Sequence, residues 1–147
     1  MYQFEIFGVP TPQKQTRFSC RGGIPHAYDP SKKEKERIQW QVKPLAPKNA
    51  LQGPLELTIW FFLPIPKATP SKRKLAMSNR VILPNIKPDI DNLAYIVTNA
   101  LKNLVYEDDK QICHMRLYKL YGAEPKTVIR IRPIAQFEEL GIHETDL

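Results

Sequence analysis

Residues 54–63, Pro-Leu-Glu-Leu-Thr-Ile-Trp-Phe-Phe-Leu, constrain the fold more than any other segment of this chain. Leu55, Leu57, Ile59, Phe61 and Leu63 share one side of an extended segment, and Trp60 and Phe62 make the other side partly apolar. A strand apolar on both faces belongs in the middle of a sheet, covered from both sides. Pro64, Pro66 and Pro70 end it, since proline has no N–H for a ladder. Residues 2–9 form a half-buried strand, with Tyr2, Phe4 and Ile6 alternating with Gln3 and Glu5 up to Pro10. Residues 10–28 read as a polar, basic loop. Asp29-Pro30-Ser31 opens a helix: Ser31 and Glu34 are spaced as a capping box, Ile38, Val42 and Leu45 form its apolar stripe, and Pro44 and Pro47 close it. A short helix fits at about 71–79. Leu93, Ile96, Val97, Ala100, Leu101 and Leu104 mark one face of a further helix, which Asp91 is placed to cap. Residues 112–121 and 126–132 read as a hairpin turning at Gly122–Pro125. The order predicts an α/β (α+β) fold: one small domain over residues 1–133, with a mixed sheet of about four strands and two main helices, followed by an acidic tail over 134–147.

The length of 147 residues fits one domain, and fourteen prolines against six glycines suggest stiff loops. The formal net charge is +7, unevenly spread. The tail carries Glu138, Glu139, Glu144 and Asp146 and no Lys or Arg, so residues 1–133 hold +11. Five acids of that basic body fall between Asp89 and Asp109. Residues 67–87 hold Lys67, Lys72, Arg73, Lys74, Arg80 and Lys87 and no acid. A basic excess points to a polyanionic partner, usually nucleic acid. Met1–Glu5 lacks the pattern of a secretory signal, and the apolar run Ile59–Ile65 is far short of the roughly 20 residues of a membrane span. Cys20 and Cys113 form neither a metal pair nor a disulfide framework, which makes an intracellular, cytoplasmic location the expectation. His26, His114 and His143 lack partners at ligand spacing.

The acids carry the chemistry. Lys87-Pro88-Asp89-Ile90-Asp91-Asn92 precedes the apolar-faced helix, and Glu107-Asp108-Asp109 follows it. Taken alone, Asp-x-Asp is a cap with a solvated neighbour, and Glu-Asp-Asp is an exposed turn. Gathered together they repel, and then protonate or bind a cation. An oxygen-only donor set suits Mg²⁺, with Mn²⁺ as the alternative, and such ions assist phosphodiester hydrolysis. The two acidic groups flank a helix about 20 Å long, so they meet only if the following strand returns the second group to the helix start.

Lys87-Pro88-Asp89-Ile90-Asp91-Asn92-Leu93 and Val105-Tyr106-Glu107-Asp108-Asp109-Lys110-Gln111-Ile112 resemble the signature of the RusA family of Holliday junction resolvases, small endonucleases often carried by prophages. Gly8–Arg17 and the Pro-rich stretch Pro64–Pro84 support the resemblance, which covers about 2–133. It implies a homodimer that resolves four-way DNA junctions in recombination and repair by paired Mg²⁺-dependent cuts in a bacterial host, with Asp89, Asp91 and Asp109 as catalytic and metal-binding carboxylates. Lys87, Asn92, Asp108 and Gln111 are supporting residues in that reading. The family usually has Lys six residues after the first Asp, and this chain has Tyr95. Lys102 shares the helix face but lies about three turns away, which leaves Lys87 or Lys14 to supply the charge. Lys14, Arg17, Arg21, Lys72, Arg73, Lys74 and Arg80 are the candidate DNA contacts. A second reading, motivated by Tyr95, is a weakly active or inactive junction-binding protein. A phosphatase with a nucleophilic Asp fits poorly, because Asn85-Ile86-Lys87-Pro88 is not the apolar strand that normally precedes that motif.

Overall fold

A computed structural model describes residues 1–141 and 145; His143, Glu144 and Asp146 lie outside the described residues. Along the chain run β1 (Tyr2–Phe7), β2 (Arg17–Arg21), β3 (Ile24–Tyr28), α1 (Lys32–Val42), β4 (Leu55–Pro64), α2 (Ser71–Ser78), α3 (Ile90–Leu101), β5 (Ile112–Gly122) and β6 (Lys126–Pro133). The main sheet has four strands in the order β1-β6-β4-β5, and β2 and β3 form a sheet of their own. The fold is α+β.

As its sequence requires, β4 is interior, bonded to β6 on one edge and β5 on the other. The expected cover on both faces is absent. Leu55, Leu57, Ile59 and Phe61 pack with Ile38 and Val42 of α1 and with Leu93, Ile96, Val97, Ala100 and Leu101 of α3. The opposite face carries no α-helix among the described residues. Trp60 instead stacks on Tyr118, centroids 5.7 Å apart, beneath the Arg130 guanidinium at 4.9 Å. Neighbouring rings and an aliphatic stem shelter the indole there without a second layer. Glu56 is buried in this face against Arg132, Arg116 and His114. Burial pushes its carboxyl up, but these partners prevail and hold it below its ordinary value.

The expected hairpin of 112–121 with 126–132 is not formed. β5 runs parallel to β4, β6 runs antiparallel to it, and β4 lies between them. Ala123–Pro125 therefore has to cross two strand spacings, roughly 10 Å, which a tight two-residue turn does not span. The loop expected at 10–28 contains a hairpin. Gly22 and Gly23 both have positive φ, 61° and 79°, as a two-residue hairpin turn requires. Every residue of β2 and β3 is exposed, so no alternation of polarity announced them.

Helix ends also differ. Ser31 caps nothing with its side chain; its hydroxyl accepts the Lys14 N–H at 2.8 Å. Leu45 lies in a 3₁₀ turn beyond α1 and is exposed. Asp89, rather than Asp91, stands at the N-cap of α3. Leu104 follows the helix, in a turn that Asn103 makes with φ of 61°. The short helix expected near 71–79 is α2, and Met77 on it packs against Leu63 and Tyr121.

Candidate active site

The first acidic motif sits at the start of α3. Asp89 has extended backbone angles, φ −70° and ψ 140°, and its carbonyl accepts the Leu93 N–H. Asp91 lies in the first turn and accepts the Asn92 N–H at 2.9 Å. Both side chains are exposed, at the end of the helix where the N–H groups and the dipole favour negative charge. Lys87 is exposed just before them, and its peptide bond to Pro88 is cis. Lys119 reaches the same turn from β5, donating to the carbonyls of Ile86 at 2.6 Å and Pro88 at 3.0 Å. Nothing in the sequence marks Lys119, which reads as one more polar residue of a strand.

The base of the β2–β3 arm closes on this helix start. Gln13 N–H donates to the Asn92 carbonyl at 3.0 Å, and the Gln13 side chain donates to Asp29. A groove of about 330 Å³ between arm and helix is lined by Gln13, Lys14, Asp29, Lys35, Asn92 and Tyr95. Lys35 is paired with Asp29, so Lys14 is the cation of this groove without an ion-pair partner among the described residues. Tyr95 is half-exposed on its wall. A lysine missing from position 95 thus has Lys14 beside it and Lys119 behind the turn.

The second motif is sorted by its hydrogen bonds. Asp108 caps the 3₁₀ turn Asp109–Gln111 by accepting the Lys110 N–H, and Gln111 Oε1 accepts the N–H groups of Glu107 and Asp108. Gln111 Nε2 donates to the carbonyls of Leu51 and Gly53. Glu107 accepts from Gln52 at 2.8 Å. Asp108 and Gln111 are therefore consumed in a reciprocal cap, and Glu107 in a tether. Asp109 takes no part in the cap; its carboxylate lies beside that of Asp108, with Lys102 at 3.8 Å. The Lys110 N–H, then Lys102 at 3.1 Å, hold Asp108 at a pKa of about 2. Behind the motif Tyr106 is buried and donates to the Thr98 carbonyl at 2.8 Å. Burial first, then the charges of Asp109 and Asp108, push its phenol above the ordinary value, so it stays a neutral donor.

The two motifs do not meet within one chain. Asp109 lies against Lys102 at the C-terminal end of α3, and Asp89 and Asp91 lie at its start, about 18 Å away for a helix of twelve residues. Among the described residues no three His, Cys, Asp or Glu side chains gather as a metal site. β5 begins beside the end of α3, so Asp109, which precedes it, stays there, and it is Lys119 further along β5 that reaches the helix start. The pair Asp89 and Asp91 still suits a hard cation that takes one or two carboxylates, with water and substrate phosphate completing its shell.

A family model for endodeoxyribonuclease RusA matches residues 8–132, an interval that contains both motifs and the arm. The chain belongs to the RusA family. Members of this family are endodeoxyribonucleases, hydrolases acting on DNA at Holliday junctions. The chain is also 31% identical over 137 residues to the uncharacterized protein YqaN of Bacillus subtilis, with 90% of this chain and 96% of YqaN covered. On this RusA-family chain the candidate DNA contacts fall in two groups, all exposed. Lys14, Arg17 and Arg21 line one leg of the arm. Lys72, Arg73 and Lys74 lie on α2, with Arg80 just beyond it, 6.0 Å above the Phe62 ring. No helix among the described residues is long and apolar enough to cross a membrane.

Proposed function

We propose that this RusA-family chain is a Mg²⁺-dependent junction resolvase in which Asp89, Asp91 and Asp109 are the catalytic carboxylates. The observation that carries the reading is the sorting of acids described above. Asp89 makes no side-chain cap bond, Asp91 spends one oxygen on the Asn92 N–H, and Asp109 takes no part in the cap, whereas Asp108 caps the 3₁₀ turn and Glu107 is tethered to Gln52. Bound at these oxygens, Mg²⁺ supplies an acidified water and charge neutralisation at the scissile phosphate. The chain's own part is to present carboxylates at a helix start, to hold the DNA backbone with the arm and α2, and to leave Lys14 near the phosphate in the groove beside Tyr95. Mn²⁺ fits the same donors.

Because Asp109 stands a helix length from Asp89, a three-carboxylate site needs a second copy of the chain. A homodimer with antiparallel α3 helices brings Asp109 of one copy to Asp89 and Asp91 of the other, and gives the paired cuts a symmetric basis. Four-way junction cleavage with Mg²⁺ tests both parts. Asp91→Asn and Asp109→Asn homodimers each lose about 10²-fold or more in rate while binding the junction in Ca²⁺ as wild type does. Mixing the two variants restores one wild-type site per heterodimer, seen as single nicks. No rescue on mixing removes the shared-site arrangement, and full activity of Asp91→Asn removes the carboxylate assignment. Binding without divalent-dependent nicks by the wild type would favour the junction-binding alternative that Tyr95 raises.

A further inference from the structure

We propose that Lys119 is a positioning residue for the carboxylate turn, fixing the direction of Asp89 from the edge strand β5. The inference rests on the metal-dependent nuclease reading and adds a residue to it. The segment from Asn79 to Pro88 has neither helix nor ladder to hold it, yet it must deliver Asp89 at a defined angle. Lys119 Nζ bonds the Ile86 and Pro88 carbonyls, which bracket Lys87 and Pro88. The Pro88 carbonyl belongs to the peptide unit that ends at the Asp89 nitrogen. Holding that carbonyl holds the peptide plane as far as the Asp89 Cα, and the Leu93 N–H on the Asp89 carbonyl holds the plane that follows, so the Cα–Cβ direction between the two is set.

The choice of lysine is informative. One ammonium has three donors and satisfies two carbonyls at once, and charge-assisted bonds are about twice as strong as neutral ones. The side chain is half-buried, leaving from the helix-covered face of β5 opposite Phe61. β5 is also the strand that the Asp108–Gln111 cap opens, so one rigid element carries the second acidic motif at its start and anchors the first seven residues later. Outer partners of metal-binding carboxylates commonly contribute 10- to 100-fold to metal affinity or rate.

Lys119→Met and Lys119→Arg test the assignment against a merely structural role. Three readouts are taken: calorimetric binding of Mn²⁺ alone, the Mg²⁺ concentration giving half-maximal junction cleavage, and junction binding in Ca²⁺. Lys119→Met is expected to weaken Mn²⁺ binding about tenfold and raise the Mg²⁺ requirement about tenfold, with junction binding unchanged. Lys119→Arg, which keeps a charged donor, recovers both to within about threefold. An unchanged metal requirement in Lys119→Met overturns the proposal, as does Lys119→Arg behaving no better than Lys119→Met in a folded state. A wild-type protein that neither binds Mn²⁺ nor cuts overturns the nuclease reading itself, a result distinct from the first two.

Discussion

Aspartates 108 and 109 are neighbours with opposite employment, and the difference lies in a few backbone N–H groups. Asp108 is tied to the Lys110 N–H and to Lys102, which lowers its pKa to about 2. A depressed carboxylate pKa stabilises the fold above the ordinary value of about 3.9, and that contribution is lost as pH falls through about 2. Acid unfolding monitored between pH 4 and 2 should therefore be shallower for Asp108→Asn than for wild type, with no difference near pH 7 beyond a constant offset. A steeper acid limb for the variant would contradict the assignment. Sequence alone could place Asp108 and Gln111 in one motif, but it could not divide their labour. The division depends on Leu51 and Gly53, some sixty residues earlier, whose carbonyls Gln111 bonds. Lys119 was illegible for the same reason: its partners are backbone atoms, which leave no trace in residue type.

The elements legible in the sequence were those whose burial is one-sided or complete. β1 and α3 show their periodicity because one face meets the core, and β4 does so because its residues pack so densely. The arm was missed because Arg17–Arg21 and Ile24–Tyr28 bury neither face, although Gly22-Gly23 was the turn signal to follow. An isolated two-stranded hairpin is marginal in water. Its legs are held by Gln13 on Asn92 and by Lys14 on Ser31, which ties the arm to the site end of α3. Arg17 and Arg21 lie on the same face of β2, two positions apart twice over. Replacing both with Ala should lower the salt slope of junction binding by about 2, at about one per lost phosphate contact, and leave the melting temperature unchanged. An unchanged slope would show that the arm does not grip the backbone.

At the scale of the molecule the charge has an arrangement. The base of the basic arm lies at the start of α3, α2 packs on Leu63 and Tyr121, and the described start of the acidic tail is docked elsewhere. Ile134 is buried with its N–H on the Pro54 carbonyl, Arg132 donates to the Glu139 carbonyl, and Arg116 donates to the Leu140 carbonyl. The tail thus lies against two of the arginines on the open face of the sheet. Ending the chain after Ala135 removes four acids and no base, and takes the formal net charge from +7 to +11. Non-specific duplex affinity should rise several-fold at low salt and converge with wild type above about 0.5 M, where screening removes the difference. Filter binding over a salt series checks this, and a deletion that leaves low-salt affinity unaltered would count against it.

The insertion of β4 between β5 and β6 also bears on how the protein is made. β1 pairs only with β6, and β4 gains its second edge only from it, so the first and last strands of the sheet are partners. A ribosome releases the N-terminal strand long before its mate exists, and pairings so distant in sequence form late. Both acidic motifs are synthesised by residue 109, yet the sheet that carries them cannot close until residue 133 has emerged. A product terminated before β6 would hold both acidic motifs and lack the strand that joins β1 to β4.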